Sequence, residues 1–296
     1  GSEPAAALQA APGLELAAVA GDTDNFDLAY ETLSGKLMVA WGRLDIATFY
    51  YATYSGGWSG VTSGGAGDGA TYLSLAADPL SNEIILGAIY NNTGDMTGAV
   101  WTGAAWNTPT QLDGGATAPA ANRKFIATGW VNAGGVKRGI IVYDTDAVDT
   151  TLDYFFWDGA VFSALVAPSL TASGGTPAWM DIRMDPFNLD RLLLTFTSSD
   201  SSLWARRLQL TGTTLTWIDR GAPGGTLGTV GSPNAQDFSF AYDLSTPTPT
   251  ITDLRDNLGC ASTVITKARA DDIINICGSN FKSAQGLSTV TINGAA

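Results

Sequence analysis

The sequence contains no histidine, and this absence removes several classes of active site. Without an imidazole there is no histidine general base, no Ser-His-Asp or Cys-His catalytic arrangement, and no zinc site with histidine ligands. Basic residues are also scarce, because 15 Lys and Arg stand against 28 Asp and Glu, for a net charge of −13. A chain this acidic is not suited to binding nucleic acid by counterion release. Carboxylates, arginine, tyrosine and one cysteine pair remain as candidates for chemistry.

Long apolar runs and charged residues are both in short supply. No apolar run approaches the ~18 residues of a membrane span, so no membrane span is predicted. Only 15% of residues are charged, and such low charge favours an extracellular or cell-surface location. Cys260 and Cys277 are the only two cysteines. We expect a disulfide between them, which would add roughly 3 kcal/mol of stability for a loop of this size; the alternative is two buried free thiols.

Glycine, in contrast, is abundant, with 35 residues, and it marks an internal repeat. Gly-Gly pairs followed by a small residue begin at residues 64, 114, 174 and 224. Each pair precedes a short apolar stretch that is predicted to form a strand, and a similar stretch lies nearer the N-terminus. The five predicted strands are residues 26–30, 72–76, 125–129, 179–183 and 238–242.

Two further features recur in the first four repeats. Near-continuous apolar runs at residues 36–41, 84–90, 139–143 and 191–196 predict second strands that are buried on both faces. Pairs of large residues flanking a glycine at residues 54–58, 101–106, 157–162 and 210–215 predict a hairpin at the end of the third strand.

Four short antiparallel strands in roughly 50 residues are typical of a propeller blade. The sequence therefore predicts an all-β fold, a β-propeller of four-stranded blades, with five blades as the preferred count. Residues 14–19 would supply an outer strand that closes the ring. We expect an N-terminal arm at residues 1–13, the propeller at 14–246, and a linker with a short C-terminal β segment at 247–296.

One hairpin resembles a sialidase repeat. Trp157, Asp158 and Gly159 resemble the Ser-x-Asp-x-Gly-x-x-Trp box of sialidase-like propellers, although the leading serine is absent. The resemblance implies a propeller that handles glycans. The candidates for that family's arginine cluster, by position, are Arg183, Arg206, Arg207 and Arg220.

The C-terminal segment resembles a different family. Residues 271–281, which end in Gly278-Ser279-Asn280-Phe281, and residues 288–295, which contain Asn293-Gly294, resemble the first half of an IPT/TIG immunoglobulin-like domain. The resemblance covers residues 251–296 and implies an adhesive or structural module at a cell surface. Half of such a domain would present strand edges that need a partner.

In an up-and-down blade, the loops between the second and third strands share one face with the linkers between blades. These loops and linkers are acidic, and their aspartates are Asp22, Asp24, Asp27, Asp45, Asp68, Asp95, Asp113, Asp144, Asp146, Asp149, Asp153 and Asp200. Two groups have a spacing suited to calcium: Asp144, Asp146 and Asp149, and Asp22, Asp24 and Asp27. The alternative is solvated aspartates that form turns. No other cofactor is expected.

The sequence predicts a non-catalytic structural protein that acts by protein association, such as a subunit of a fibre or appendage. Its partners would be other subunits, including copies of itself. One alternative is an adhesin or lectin-like propeller that binds carbohydrate. The other is a sialidase-like glycoside hydrolase, which would need a suitably spaced pair of carboxylates.

Overall fold

The computed structural model describes residues 25–42, 48–65, 70–90, 95–114, 124–144, 151–164, 170–171, 175–219, 226–231, 238, 240, 250–255 and 275–279. The chain divides into two compact units, Gly1–Ala241 and Tyr242–Ala296. Within the described ranges all regular secondary structure is β-strand, which confirms the all-β prediction. No described segment forms a helix long and apolar enough to cross a membrane.

The described part of the first unit contains four antiparallel sheets, which we call blades 1 to 4. Blade 1 is β1 (Phe26–Tyr30), β2 (Leu37–Gly42), β3 (Phe49–Tyr54) and β4 (Thr62–Ser63); blade 2 is β5 (Ala70–Ala77), β6 (Ile84–Tyr90), β7 (Met96–Trp101) and β8 (Thr110–Asp113). Blade 3 is β9 (Ile126–Ala133), β10 (Val136–Tyr143), β11 (Thr151–Trp157), β12 (Phe162–Ala164) and β13 (Leu170–Thr171). Blade 4 is β14 (Pro177–Met184), β15 (Arg191–Ser198), β16 (Ser202–Thr211), β17 (Thr214–Asp219) and β18 (Thr226–Thr229).

Each blade is an up-and-down meander in which consecutive strands pair. In blades 3 and 4 the outer strand is interrupted, so that β13 also pairs with β11 and β18 also pairs with β16. All four predicted hairpins are confirmed, because the large residues that flank each turn are paired: Tyr54–Trp58, Trp101–Trp106, Trp157–Phe162 and Leu210–Leu215. The central glycines Gly56, Gly103, Gly159 and Gly212 have positive φ, a conformation that side chains disfavour.

The blades pack face to face through apolar cores. Met38 and Ala40 of blade 1 pack with Leu73 and Leu86 of blade 2 in one buried cluster. A second cluster joins blades 2 and 3, and a third joins blades 3 and 4. The β6 strand is buried along its whole length, which confirms the prediction of strands covered on both faces.

The first strands of successive blades, β1, β5, β9 and β14, contact one another in that order. This arrangement gives every blade the same orientation and creates two distinct faces. One face is formed by the turns between the first and second strands of each blade and by the four hairpins, and we call it the turn face. The turns are residues 31–36, 78–83, 134–135 and 185–190. We call loop face the opposite one, where β2, β6, β10 and β15 end and where β3, β7, β11 and β16 begin.

Several predicted elements fall partly or wholly outside the described residues. These are the closing strand at 14–19, most of the fifth inner strand at 238–242, and residues 281–296. The described part of the second unit is a two-stranded antiparallel sheet of β19 (Thr250–Arg255) and β20 (Asn275–Ser279). Cys277 lies in β20, and Cys260 lies outside the described ranges. The fifth blade, the domain boundaries and the disulfide therefore stay predictions.

We predict that Gly42→Ala destabilises the junction of blades 1 and 2. A Cβ atom at this position would overlap the carbonyl oxygen of Ala70 and lie 2.6 Å from its Cβ. Because the obstacle includes backbone, relief requires the two blades to separate, at an expected cost of about 1–3 kcal/mol. Urea unfolding measures the loss. The matched control is Gly57→Ala in the same blade, where nothing lies within 4 Å; equal stabilities of the two variants would contradict this packing.

Candidate functional site

The inner strands of the four blades line a cavity of about 340 Å³. Its wall carries side chains of both charges together with hydroxyl groups. The polar residues that line it are Asp27, Ser74, Lys124, Thr128, Asp181 and Arg183. A cavity with this lining is suited to a small polar ligand.

Hydrogen bonds fix much of the cavity wall. Asp27 accepts hydrogen bonds from the backbone N–H groups of Leu28 at 2.7 Å and Leu75 at 2.8 Å. The hydroxyls of Ser74 and Thr128 lie 3.0 Å apart and connect blades 2 and 3. Arg183 Nε donates to Asp181 Oδ2 at 3.2 Å. The wall is therefore largely preorganised, with Asp27 joining blade 1 to blade 2.

A buried acidic residue joins blades 1 and 2 at the turn face. Glu31 Oε1 accepts a hydrogen bond from Trp101 Nε1 at 2.7 Å and lies 3.4 Å from Lys36 Nζ. Glu31 Oε2 accepts from the hydroxyl of Ser34. The carboxylate is almost fully buried, so these partners replace the water that it loses.

Asp78 has the corresponding role between blades 2 and 3, and only 1% of it is exposed. Within its own turn it accepts from Leu80 N at 3.1 Å and from Ser81 Oγ at 2.6 Å. From blade 3 it accepts from Asn132 Nδ2 at 3.2 Å and Lys137 Nζ at 3.3 Å. Its backbone oxygen also accepts from Thr32 Oγ1 at 2.7 Å. One side chain and its carbonyl thus connect three blades.

The loop face brings together some of the acidic residues predicted there. The hydroxyl of Tyr143 donates to Asp113 Oδ2 at 3.4 Å. Burial, reinforced by the negative charges of Asp113 and Asp153, raises the pKa of Tyr143 far above its ordinary value. The Tyr143 side chain is therefore a neutral donor at every physiological pH.

The calcium candidates are only partly described. Asp144 is buried at the loop face, directly after β10, whereas Asp27 lies within β1 and binds two backbone amides. Asp22, Asp24, Asp146 and Asp149 lie outside the described residues. Across the described ranges no group of three or more Cys, Asp or Glu residues is placed to hold a metal. Calcium binding stays a prediction.

Among the described residues behind the sialidase resemblance, Arg206 lies apart from Arg183 and Arg207. Asp158 accepts hydrogen bonds at 2.9 Å from Ala160 N and Val161 N, which lower its pKa and fix the hairpin. The strand register places Arg183 and Arg207 on one face of blade 4, whereas Arg206 lies on the other. Arg206 is buried, with its guanidinium over the Trp204 ring. Arg220 lies outside the described part.

Blade 1 has an apolar face that points away from blade 2. The register pairs Phe26 with Trp41, Leu28 with Val39 and Tyr30 with Leu37, so all six lie on that face. We call it the outer face of blade 1. Val39 and Trp41 form a small buried cluster with Ala52, whereas Phe26, Leu28 and Tyr30 are about half exposed. Sequence reasoning recognised β1 as a strand but did not identify this face.

Comparison with protein-family models and with curated protein sequences gave no match. Among solved structures, a Hadza microbial sialidase is 12% identical with a TM-score of 0.40, over 66% of this chain and 46% of the sialidase. The BP39L lectin from Burkholderia pseudomallei is 14% identical with a TM-score of 0.46, over 65% and 53% of the two chains. The six-bladed fucose-recognising lectin of Aleuria aurantia is 15% identical with a TM-score of 0.40, over 68% and 66%. These similarities assign no family, and the blade architecture rests on the four sheets themselves.

We predict that Asp78→Ala destabilises the first unit by about 3 kcal/mol, because it removes the buried acceptor of Asn132 and Ser81 and leaves Lys137 with Glu83 as its partner. The matched control is Asp185→Ala, in the equivalent Asp-Pro turn of blade 4. The hydrogen bonds to the Asp185 side chain come from Phe187 and Asn188 in its own turn, so a loss of about 1 kcal/mol is expected. Thermal and urea unfolding compare the two variants. A loss at Asp78 no larger than at Asp185 would show that Asp78 does not hold the blades together.

Proposed function

We propose that this protein is a non-catalytic structural module that acts by protein association at a cell surface or outside the cell. The observation that carries the proposal is the outer face of blade 1. Phe26, Leu28 and Tyr30 form a row of half-exposed apolar side chains beside the buried Val39–Trp41–Ala52 cluster. Contiguous exposed apolar surface of this kind is typical of interaction sites.

Burial of this row would favour association. Covering the exposed half of each of the three side chains is worth about 1 kcal/mol per residue. In blades 2, 3 and 4 the equivalent face is covered by the preceding blade. We infer that the outer face of blade 1 is covered likewise by β structure.

Two sources can supply that cover. A fifth blade from this chain, which would include residues 238–242, would close a five-bladed ring. A subunit contributed by another chain would instead extend an assembly, and heterologous contacts of that kind generate open filaments. We favour the second source, because it is the one that the proposed association role requires.

We predict that the full chain forms concentration-dependent oligomers and that Leu28→Asp weakens them at least tenfold. The variant places a charge in the apolar row, which is costly to bury. Light scattering coupled to size exclusion measures the mass. Leu227→Asp is the control, since Leu227 is equally exposed but lies on β18 of blade 4.

A different result would point to closure within one chain. In that case the wild type is monomeric at all concentrations, and Leu28→Asp lowers the unfolding temperature without changing the mass. That outcome contradicts association through this face and supports the five-bladed ring.

The lectin-like alternative is favoured by the central cavity. Its hydroxyl, carboxylate and cationic groups can each hydrogen-bond a sugar, and its position on the inner strands is rigid. No turnover is expected there, because Asp27 is held by two backbone amides and Asp181 pairs with Arg183 at 3.2 Å.

We predict that any glycan bound on an array loses at least tenfold in affinity in the Asp181→Asn variant, since the charge-assisted hydrogen bonds would be lost. Asp158→Asn, in a hairpin away from the cavity, is the control. Aryl glycosides should remain uncleaved by the wild type, by Asp181→Asn and by Asp158→Asn. An array without hits removes the lectin alternative, and turnover abolished by Asp181→Asn would establish a hydrolase.

A further inference from the structure

The first turns of blades 1, 2 and 4 share a local motif that carries an exposed apolar residue. An acidic residue directly follows the strand, and the apolar residue comes two positions later: Glu31 with Leu33, Asp78 with Leu80, and Asp185 with Phe187. The apolar residues are 70%, 58% and 50% exposed, respectively. Three equivalent turns therefore present large apolar side chains on the turn face.

These side chains are held by rigid turns rather than by mobile loops. Asp78 Oδ1 accepts from Leu80 N at 3.1 Å, and Asp185 Oδ1 accepts from Phe187 N at 2.9 Å. In blade 1, Leu33 N donates to Asn82 Oδ1 of blade 2 at 2.9 Å. Fixed backbones reduce the entropy that would be lost when these side chains become buried.

Blade 3 departs from the motif and leaves a notch. Its first turn is only Gly134–Gly135, and both glycines have positive φ, at 56° and 84°. The longer turns of blades 2 and 4 rise on either side of it, leaving an open cavity of about 450 Å³. Leu80 and Leu189 line this notch, and Asp78, Asn132 and Lys137 lie at its base.

The polar groups of the notch are engaged with one another. Asp78 accepts from Asn132 and Lys137, and Lys137 Nζ lies 2.8 Å from Glu83 Oε2. A sugar would have to replace these bonds, whereas an apolar side chain could fill the notch without breaking them. The notch therefore suits an apolar group.

The charge of the turn face also suits a second copy of this chain. The full chain carries −13, so two copies repel each other over most of their surface. At the turn face four of the acidic residues are paired with cations: Glu31 with Lys36, Asp78 and Glu83 with Lys137, and Asp190 with Arg191. A second copy therefore meets less repulsion at this face than the net charge of the full chain alone would give.

We propose that the turn face is a self-association surface, in which Phe187 of one copy occupies the notch between Leu80 and Leu189 of a second copy. Because the projecting side chain and the notch lie on the same face, the contact is reciprocal and closes at a two-fold dimer. The inference builds on the proposed association role but uses a surface separate from the outer face of blade 1.

The test is the mass of the full-length chain as a function of concentration, by analytical ultracentrifugation. Phe187→Ser and Leu80→Ser should each raise the dissociation constant of the dimer at least tenfold. Leu227→Ser, an equally exposed leucine on β18, should leave it unchanged. Because all three side chains are exposed, unfolding temperatures should match the wild type, and this match confirms that folding is intact.

The outcomes separate this inference from the proposed function. If Leu28→Asp reduces the mass while Phe187→Ser does not, association through blade 1 stands and the turn-face dimer is wrong. If the reverse holds, the dimer stands and association through blade 1 is wrong. A wild type that is monomeric at high concentration overturns both. A monomer that binds glycans through the notch, with binding lost in Leu80→Ser, also overturns the dimer and makes the notch a ligand site.

Discussion

Two-sided burial of the blades is the constraint on which the first unit depends. The β6 strand is buried along its length because Leu86 packs with blade 1 residues and Ile85 packs with blade 3 residues. A sheet with two apolar faces is not stable alone, since either face left in water forfeits the free energy of burial. Each blade therefore requires a neighbour on both sides. The exposed row on β1 lies on the face that, in blades 2, 3 and 4, is covered by the preceding blade.

Apolar packing alone does not fix how neighbouring blades are aligned, and buried carboxylates supply that alignment. Glu31 binds Trp101 of blade 2, and Asp78 binds Asn132 and Lys137 of blade 3. A charged group buried this deeply is tolerated only when its partners are correctly placed, so a misaligned blade is penalised strongly. Both carboxylates lie at the turn face, where they fix the turns and are paired with Lys36 and Lys137. A rigid surface whose charges are partly paired is suited to a specific contact.

Much of the fold was predictable from the sequence because its signals are local. The hairpin at Trp101–Trp106 depends on residues within six positions of one another, and Gly103 marks the turn. The second strands were recognisable because two-sided burial produces unbroken apolar runs such as residues 84–90. In contrast, Asp78 and Lys137 are 59 residues apart and Glu31 and Trp101 are 70 apart. No sequence pattern indicated these two pairs, because nothing local marks a contact between two blades. The predicted acidic face was located in part, through Asp113 and Asp153 around Tyr143.

The candidate interaction surfaces lie where the regular repeat of blades is interrupted or begins. The Gly134–Gly135 turn is two residues long where the others are longer, and that difference alone creates the notch. The outer face of blade 1 is distinctive because it belongs to the first sheet of the series, before which no described sheet lies. A repeat protein buries its regular surfaces against its own neighbouring units. Surfaces left over for other molecules must therefore lie at its ends and at its irregular units, and in this chain those positions are β1 and the turn of blade 3.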